Sequence, residues 1–219
     1  MAGSDRSTAT KSTSGGAGEG SSRRGTLRDQ QREFTRSRLI DAALELFGEV
    51  GYAEATIDGI VNAAGASRAT FYLHFGRKAD VLDAIGAELE PGVDAYWEEL
   101  DGITAEPSRK KIRSWIDRAF EWLDEHEAVV RASQERSIID GEVAPHRFSS
   151  LPDVMPRYLA TWPAAEQSAA RLRVQLLAVL LDSFYRHWRI EQVFEVDADL
   201  AKDVFVDIWM RTLRLTPEG

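Results

Sequence analysis

Residues 56–78, TIDGIVNAAGASRATFYLHFGRK, constrain the local fold more tightly than any other stretch of the chain. Ile57, Ile60, Val61 and Ala64 recur every three or four positions, so they share one face of a helix that packs inward. Thr56 stands where that helix needs an N-cap. Gly65 follows directly, where a C-terminal cap calls for the left-handed backbone that glycine adopts without strain. Ser67 then offers a second N-cap, its hydroxyl placed to accept an otherwise unpaired N–H. Helices joined so tightly cross steeply, and the pattern predicts a helix-turn-helix. In the second helix, about Ser67 to Phe75, Phe71 and Phe75 lie one turn apart on a buried stripe. Arg68, Thr70, Tyr72 and His74 take the remaining circumference.

That outward surface is rich in hydrogen-bond donors. Arg68 is the kind of group that bonds twice to the edge of guanine in a major groove, worth about 1–3 kcal/mol of discrimination. Thr70, Tyr72, His74 and Lys78 suit phosphate oxygens, which position a protein without reading sequence. Singly, Tyr72 and His74 are ordinary packing or surface residues, and an exposed arginine is ordinarily just solvated. Their order is what carries the reading.

The run T-I-D-x-I-V-x-A-A-G-A-S-R-A-T-F-Y-x-H-F-x-x-K, with the amphipathic TRSRLIDAALELFGEVGY ahead of it, resembles the N-terminal domain of the TetR family of bacterial transcriptional regulators over residues 34–82. The resemblance implies that Arg68, Ala69 and Leu73 face bases. It implies that Thr56, Thr70, Tyr72, His74 and Lys78 touch the DNA backbone, with Ser67 in the same interface. Ala69 stands where many members have glycine or proline. Gly59 sits inside the first helix of the motif at a cost of about 1 kcal/mol relative to alanine. Neither removes a contact group.

The chain has 219 residues and no cysteine, which excludes disulfide frameworks, cysteine–zinc sites and thiol catalysis. Its start lacks the apolar core of a signal peptide and no apolar run is long enough to span a bilayer, so the sequence predicts a cytoplasmic protein. A net charge of −9 argues at first against a nucleic-acid partner. Its distribution reverses the argument. Residues 1–80 carry 11 Lys and Arg against 10 Asp and Glu, whereas residues 81–219 carry 16 against 26, which fits a reading head on an acidic body.

Residues 1–33 have almost no large apolar side chain and read as a disordered tail. Arg23, Arg24, Arg28 and Arg32 at its end make it either a solubilising tail or an arm that follows phosphates. A first helix is expected from Thr35 to Val50, with Leu39, Ala43, Leu46, Phe47 and Val50 facing inward and Gly51 as its stop. Residues 34–82 form the predicted DNA-binding domain and 83–219 the predicted ligand-binding and dimerisation domain. The fourth helix should link the two and be kinked or broken at Pro91 and Gly92, a hinge. Further helices are expected over 108–125, 128–140, 164–190 and 197–215, with 145–162 ambiguous. No strand pattern or repeat appears, and the fold class is all-α, a three-helix head plus a larger helical bundle.

The helix containing RLRVQLLAVLLDSFYRHW is apolar around most of its girth between Val174 and Leu181 and must be covered on more than one side. With the last helix it offers a four-helix interface, so a homodimer is expected through these two elements, as the resemblance also implies. A dimer doubles the few base pairs one recognition helix reads. The set Trp115, Phe120, Trp122, Met155, Tyr158, Trp162, Phe184, Tyr185, Trp188 and Trp209 predicts the aromatic and apolar walls of an effector pocket, with Asp182 either orienting a polar group or binding a cation, or equally pairing with Arg186 one turn on. Each alone reads equally as core. HEAVVRAS and DIWMRTL are loosely similar to the body of the ethionamide repressor, a TetR member with a long aromatic pocket.

The resulting expectation is a ligand-released repressor of a palindromic operator, with a small apolar or aromatic effector and no cofactor, metal or catalytic residue. A helical small-molecule-binding protein without operator binding is the alternative. An enzyme is disfavoured, because His74, His126, His146 and His187 are scattered and no metal, phosphate-loop or nucleophile-elbow motif occurs.

Overall fold

A computed structural model describes residues 19–140 and 151–215. Among these, every regular element is a helix: α1 (Glu19–Glu54), α2 (Ile57–Ala63), α3 (Arg68–Tyr72), α4 (Lys78–Ala105), α5 (Arg109–Glu125), α6 (Glu127–Asp140), α7 (Pro156–Ala160), α8 (Gln167–Tyr185) and α9 (Ala198–Thr212). Short 3₁₀ turns cover Leu151–Val154 and Ala164–Glu166, and a π turn covers Arg186–Ile190. The ambiguous segment therefore resolves from 151 on, and its residues 145–150 lie outside the described part.

The chain divides into two compact units, Met1–Arg38 and Leu39–Gly219. Within the described part of the first, backbone is helical from Glu19 rather than from Thr35, so the expected disordered tail meets helix over 19–33. Arg, Gln, Glu and Leu are good helix formers, and the Glu33–Arg36 pair at 3.7 Å sits at helical spacing. Low apolar content limits burial but does not forbid a helix.

The second unit holds two apolar clusters. The first gathers Leu39, Ala43, Phe47, Ile60, Val61, Phe71 and Phe75 with Val81, Leu82 and Ile85 of α4, and also takes in Ala132 of α6. Val50, expected inside, is exposed. The helical path ends at Gly51, whose φ of +83° and ψ of 163° break it as expected. A β-carbon there would also lie 3.0 Å from both carboxylate oxygens of Glu135.

The second cluster is the body, built on Trp97, Trp115 and Trp209, whose ring centroids lie 4.7–5.9 Å apart. Tyr96 stacks on Trp115 at 4.2 Å, donates its hydroxyl to the Trp115 carbonyl at 2.9 Å and accepts the indole N–H at its own carbonyl at 3.0 Å. α4 serves both clusters. It runs through Pro91 and Gly92 as one helix, so of the expected kink or break the break does not occur. Pro91 removes the helical partner of the Ala87 carbonyl, and both residues are exposed.

Candidate nucleic-acid interface and effector cavity

The turn between α2 and α3 is built by backbone chemistry. Thr56 accepts the Gly59 N–H at 3.0 Å and starts α2. At the other end Gly65 takes φ +59°, its N–H donates to Asn62 O at 3.1 Å and the Ala66 N–H donates to Val61 O at 2.8 Å. That double closure is a Schellman motif. Ser67 then accepts the Thr70 N–H at 3.1 Å and shares a hydrogen bond with the Thr70 hydroxyl at 2.9 Å. Gly59 gives α2 room beside α1: a β-carbon there would lie 2.9 Å from a Leu46 methyl. The propensity cost of this glycine thus coincides with a close helix approach.

Phe71 is fully buried and fixes the roll of α3. Opposite it, Arg68, Ala69, Tyr72 and Leu73 are exposed at helical positions i, i+1, i+4 and i+5, one continuous face. Leu73 is 72% exposed and Tyr72 51%. Arg68 donates from one guanidinium nitrogen to both oxygens of Asp58, at 3.1 and 3.0 Å, and its other terminal nitrogen lies 3.5 Å from the Tyr72 hydroxyl. Asp58 was not among the residues the sequence singled out. It orients Arg68 across the outward face, and its signal in the sequence was only an acidic residue in a first helical turn.

The other expected contacts divide. Thr56 and Ser67 are committed as caps, while Thr70 and His74 are half-buried at the edge of the face. Lys78, expected at a phosphate, makes its contacts here within the chain. Its ammonium donates to the carbonyls of Tyr52 and Ala55, the latter at 2.8 Å, lies 3.4 Å from that of Ala53 and sits 4.2 Å from the centre of the Tyr52 ring. Burial lowers its pKa against the opposing pull of Asp140, Glu135 and Glu54. Lys78 closes the carbonyl end of the first helix, where cations are favoured.

A cavity of about 460 Å³ lies between α4, α5, α6 and α8, a size that suits a drug-like ligand. Of the eleven residues expected to line a pocket, Trp122 and Asp182 do so. Trp115, Phe120, Met155, Tyr158, Trp162, Tyr185, Trp188 and Trp209 are instead buried in the body core, and Phe184 packs against it. Bulky aromatics gain most where they are surrounded on all sides, and Trp115, Tyr158, Tyr185 and Trp209 are among the largest fully buried side chains. Tyr185 donates to Asp124 at 3.1 Å, and burial first, then that carboxylate, push its phenol pKa well up. The cavity walls come mainly from the linking helix α4, including Tyr96 and Trp97, which the sequence did not mark for this role.

α6 connects cavity and head. Val129, Val130, Ser133 and Arg136 line the cavity. From the same helix Arg131 donates to Gly48 O at 2.7 Å, Glu135 accepts the Ala53 N–H at 2.9 Å, and Arg136 pairs with Asp83 of α4.

This geometry meets known proteins at the turn just described. The family model for bacterial regulatory proteins, tetR family, matches residues 39–85, which span α2, the turn and α3. The HTH-type transcriptional regulator TtgW of Pseudomonas putida is 34% identical over 118 residues, covering 45% of this chain and 86% of TtgW. The chain belongs to the TetR family. The Pseudomonas putida regulator SrpR is also 34% identical, over 122 residues that cover 47% of this chain and 56% of SrpR. EthR of Mycobacterium tuberculosis is 30% identical over 107 residues, 48% of this chain and half of EthR. The chain thus spans only about half the length of several curated TetR relatives it matches. The crystal structure of a transcriptional regulator from Aquifex aeolicus superposes with a TM-score of 0.55 over 79% of this chain and 96% of the other, at 19% identity, a likeness of fold. Among the described residues no helix is long and apolar enough to cross a membrane.

Proposed function

We propose that this TetR-family chain acts in the cytoplasm as a repressor that grips a palindromic operator as a homodimer and releases it when a small molecule fills the cavity. The observation that carries the reading is the outward face of α3, where Arg68, Ala69, Tyr72 and Leu73 stand exposed on a helix anchored by Phe71. Arg68 exchanges Asp58 for a guanine edge, Leu73 and Ala69 lie against bases, and Tyr72 reaches the phosphates.

Dimerisation is supported by apolar side chains left exposed on the last two long helices. Leu172, Leu176, Val179 and Leu180 form a row on α8, and Leu200 and Val204 stand out from α9. Covering them with a second copy sets two reading heads on a twofold axis, matching half-sites about 34 Å apart. Effector binding acts through α6, because residues of that one helix both line the cavity and hold the end of α1. Release requires only different effector affinity in the two head arrangements, about 1.4 kcal/mol for each tenfold loss of DNA affinity.

Selection of bound duplexes from a random pool tests the reading. The expected product is a palindrome, bound by a dimer, with affinity falling steeply as salt rises. Arg68→Ala should lose about 1–3 kcal/mol of discrimination at one base pair in each half-site. A protein that stays monomeric and enriches no sequence at low salt overturns it.

A further inference from the structure

The cavity has a charge as well as a size. Three of its wall carboxylates, Asp83, Glu90 and Asp94, come from α4, and Asp182 adds a fourth from α8. Among the lining residues Arg136 is the one cation, and it already pairs with Asp83 and lies 3.6 Å from Asp140. Glu90 and Asp94 are one helical turn apart and so share a wall. The same cavity is faced by Tyr96, Trp97 and Trp122, whose rings are fixed by stacking on Trp115, Trp209 and His126 respectively.

Three ligand classes can be weighed against this lining. An anion would enter beside several carboxylates with its only complementary charge already engaged. A neutral apolar molecule would displace water from the half-buried Asp94 and Asp182 and return no charge to them. A cation with apolar or aromatic bulk compensates the carboxylates at close range and presents its charge to ring faces, an attraction that strengthens when water is displaced. We infer that the effector of this regulator is a lipophilic organic cation, held by aromatic faces with Glu90, Asp94 and Asp182 supplying the counter-charge. This rests on the effector-release reading above and narrows it to one chemical class.

Tetraphenylphosphonium and tetraphenylborate have nearly the same shape and opposite charge, so the pair isolates the sign of the site. With the purified full-length protein, titration calorimetry should give at least tenfold tighter binding of the phosphonium. The triple variant E90Q/D94N/D182N, checked for an unchanged helical circular-dichroism spectrum, should lose at least tenfold in phosphonium affinity and gain for the borate. A control that removes three exposed carboxylates away from the cavity, E98Q/E121Q/E125Q, should leave the preference in place, separating the site from the overall negative charge. Equal or tighter borate binding overturns the inference, as does a phosphonium preference unmoved in the triple variant or abolished in the control. Gel shift with the selected operator separates the two proposals. Phosphonium that binds in the cavity yet leaves DNA affinity unchanged sinks effector release and spares the charge assignment. Release by the borate alone does the reverse.

Discussion

The head and the body of this molecule are held by different kinds of force. In the head, Thr56, Gly65, Ser67 and Lys78 each satisfy backbone groups that a helix end or turn leaves open, and the apolar cluster behind them is small. In the body the fixed points are rings: Trp97, Trp115 and Trp209 pack face and edge around one centre, and Phe120 touches Phe184, Tyr185, Trp188 and Phe205. Hydrogen bonds are directional and local, so the head presents one precise surface. Ring packing is collective, and it leaves a cavity wherever the rings and helices do not quite close. The division suits a reader joined to a sensor.

The sharpest way to break this comparison is to remove a large, fully buried side chain from the smaller cluster. Phe71→Ala should cost about 3–5 kcal/mol and unfold the head. All six tryptophans of the chain belong to the body cluster or pack against it, so their emission reports the body alone. The expected outcome is lost DNA binding with part of the far-UV helical signal gone and tryptophan emission unchanged. A coincident change in emission would mean that head and body melt as one unit, and the distinction drawn here would fail.

The same contrast explains what could be read from the sequence. Caps and turns act within a few residues, so Gly65 and the N-caps Thr56 and Ser67 announced themselves, and with them the exposed face of α3. The all-α class followed from periodicity over long windows. Contacts across the fold left no such trace. Nothing local in the sequence shows that folding brings the carbonyls of Tyr52, Ala53 and Ala55 to Lys78. Nothing local in the sequence marks a partner for Glu135, yet it accepts the Ala53 N–H from 82 positions away. The aromatic residues were legible as a set, but which of them line a space and which fill one depends on how helices close. Trp122 and Asp182 fell on the cavity and Trp115 and Trp209 in the core.

Lys78 gives the next largest effect. Lys78→Ala removes the donor from the Tyr52 and Ala55 carbonyls, both in part-buried contacts that close α1, and should cost about 1–3 kcal/mol of head stability. The slope of log affinity against log salt, measured below the melting point, should stay that of the wild type. A slope reduced by about one, with stability unaffected, would assign Lys78 to a phosphate instead.

The α6 contacts sharpen the comparison further, because there the body supplies a hydrogen bond that the head needs. Glu135→Ala should lower the melting temperature of the head by an amount equivalent to about 1 kcal/mol. Glu135→Gln keeps an acceptor oxygen for the Ala53 N–H and should fall between the two. Were alanine and glutamine variants equally harmful, the charge of Glu135 rather than its hydrogen bond would be what counts.

The smallest effect belongs to the body, on the surface where α5 meets α9. Asp117 there accepts from Lys202 at 2.9 Å and from Arg113 at 3.3 Å, while Arg113 also reaches Asp199 and Asp203 at 2.7 and 2.6 Å. Burial pushes the Asp117 carboxyl up, but the hydrogen bonds and charges of Lys202 and Arg113 outweigh it and leave its pKa below the ordinary value. A carboxylate with a depressed folded-state pKa stabilises above its unfolded value, about 3.9, and that contribution disappears as pH falls through the folded value. Asp117→Asn should therefore lower the melting temperature modestly at pH 7, with the gap closing below about pH 4. Raising salt should shrink the gap as well, since these groups are partly exposed and screened. A gap independent of both pH and salt would assign the residue's effect to packing, and this polar seam of the body would then obey the same rule as its aromatic centre.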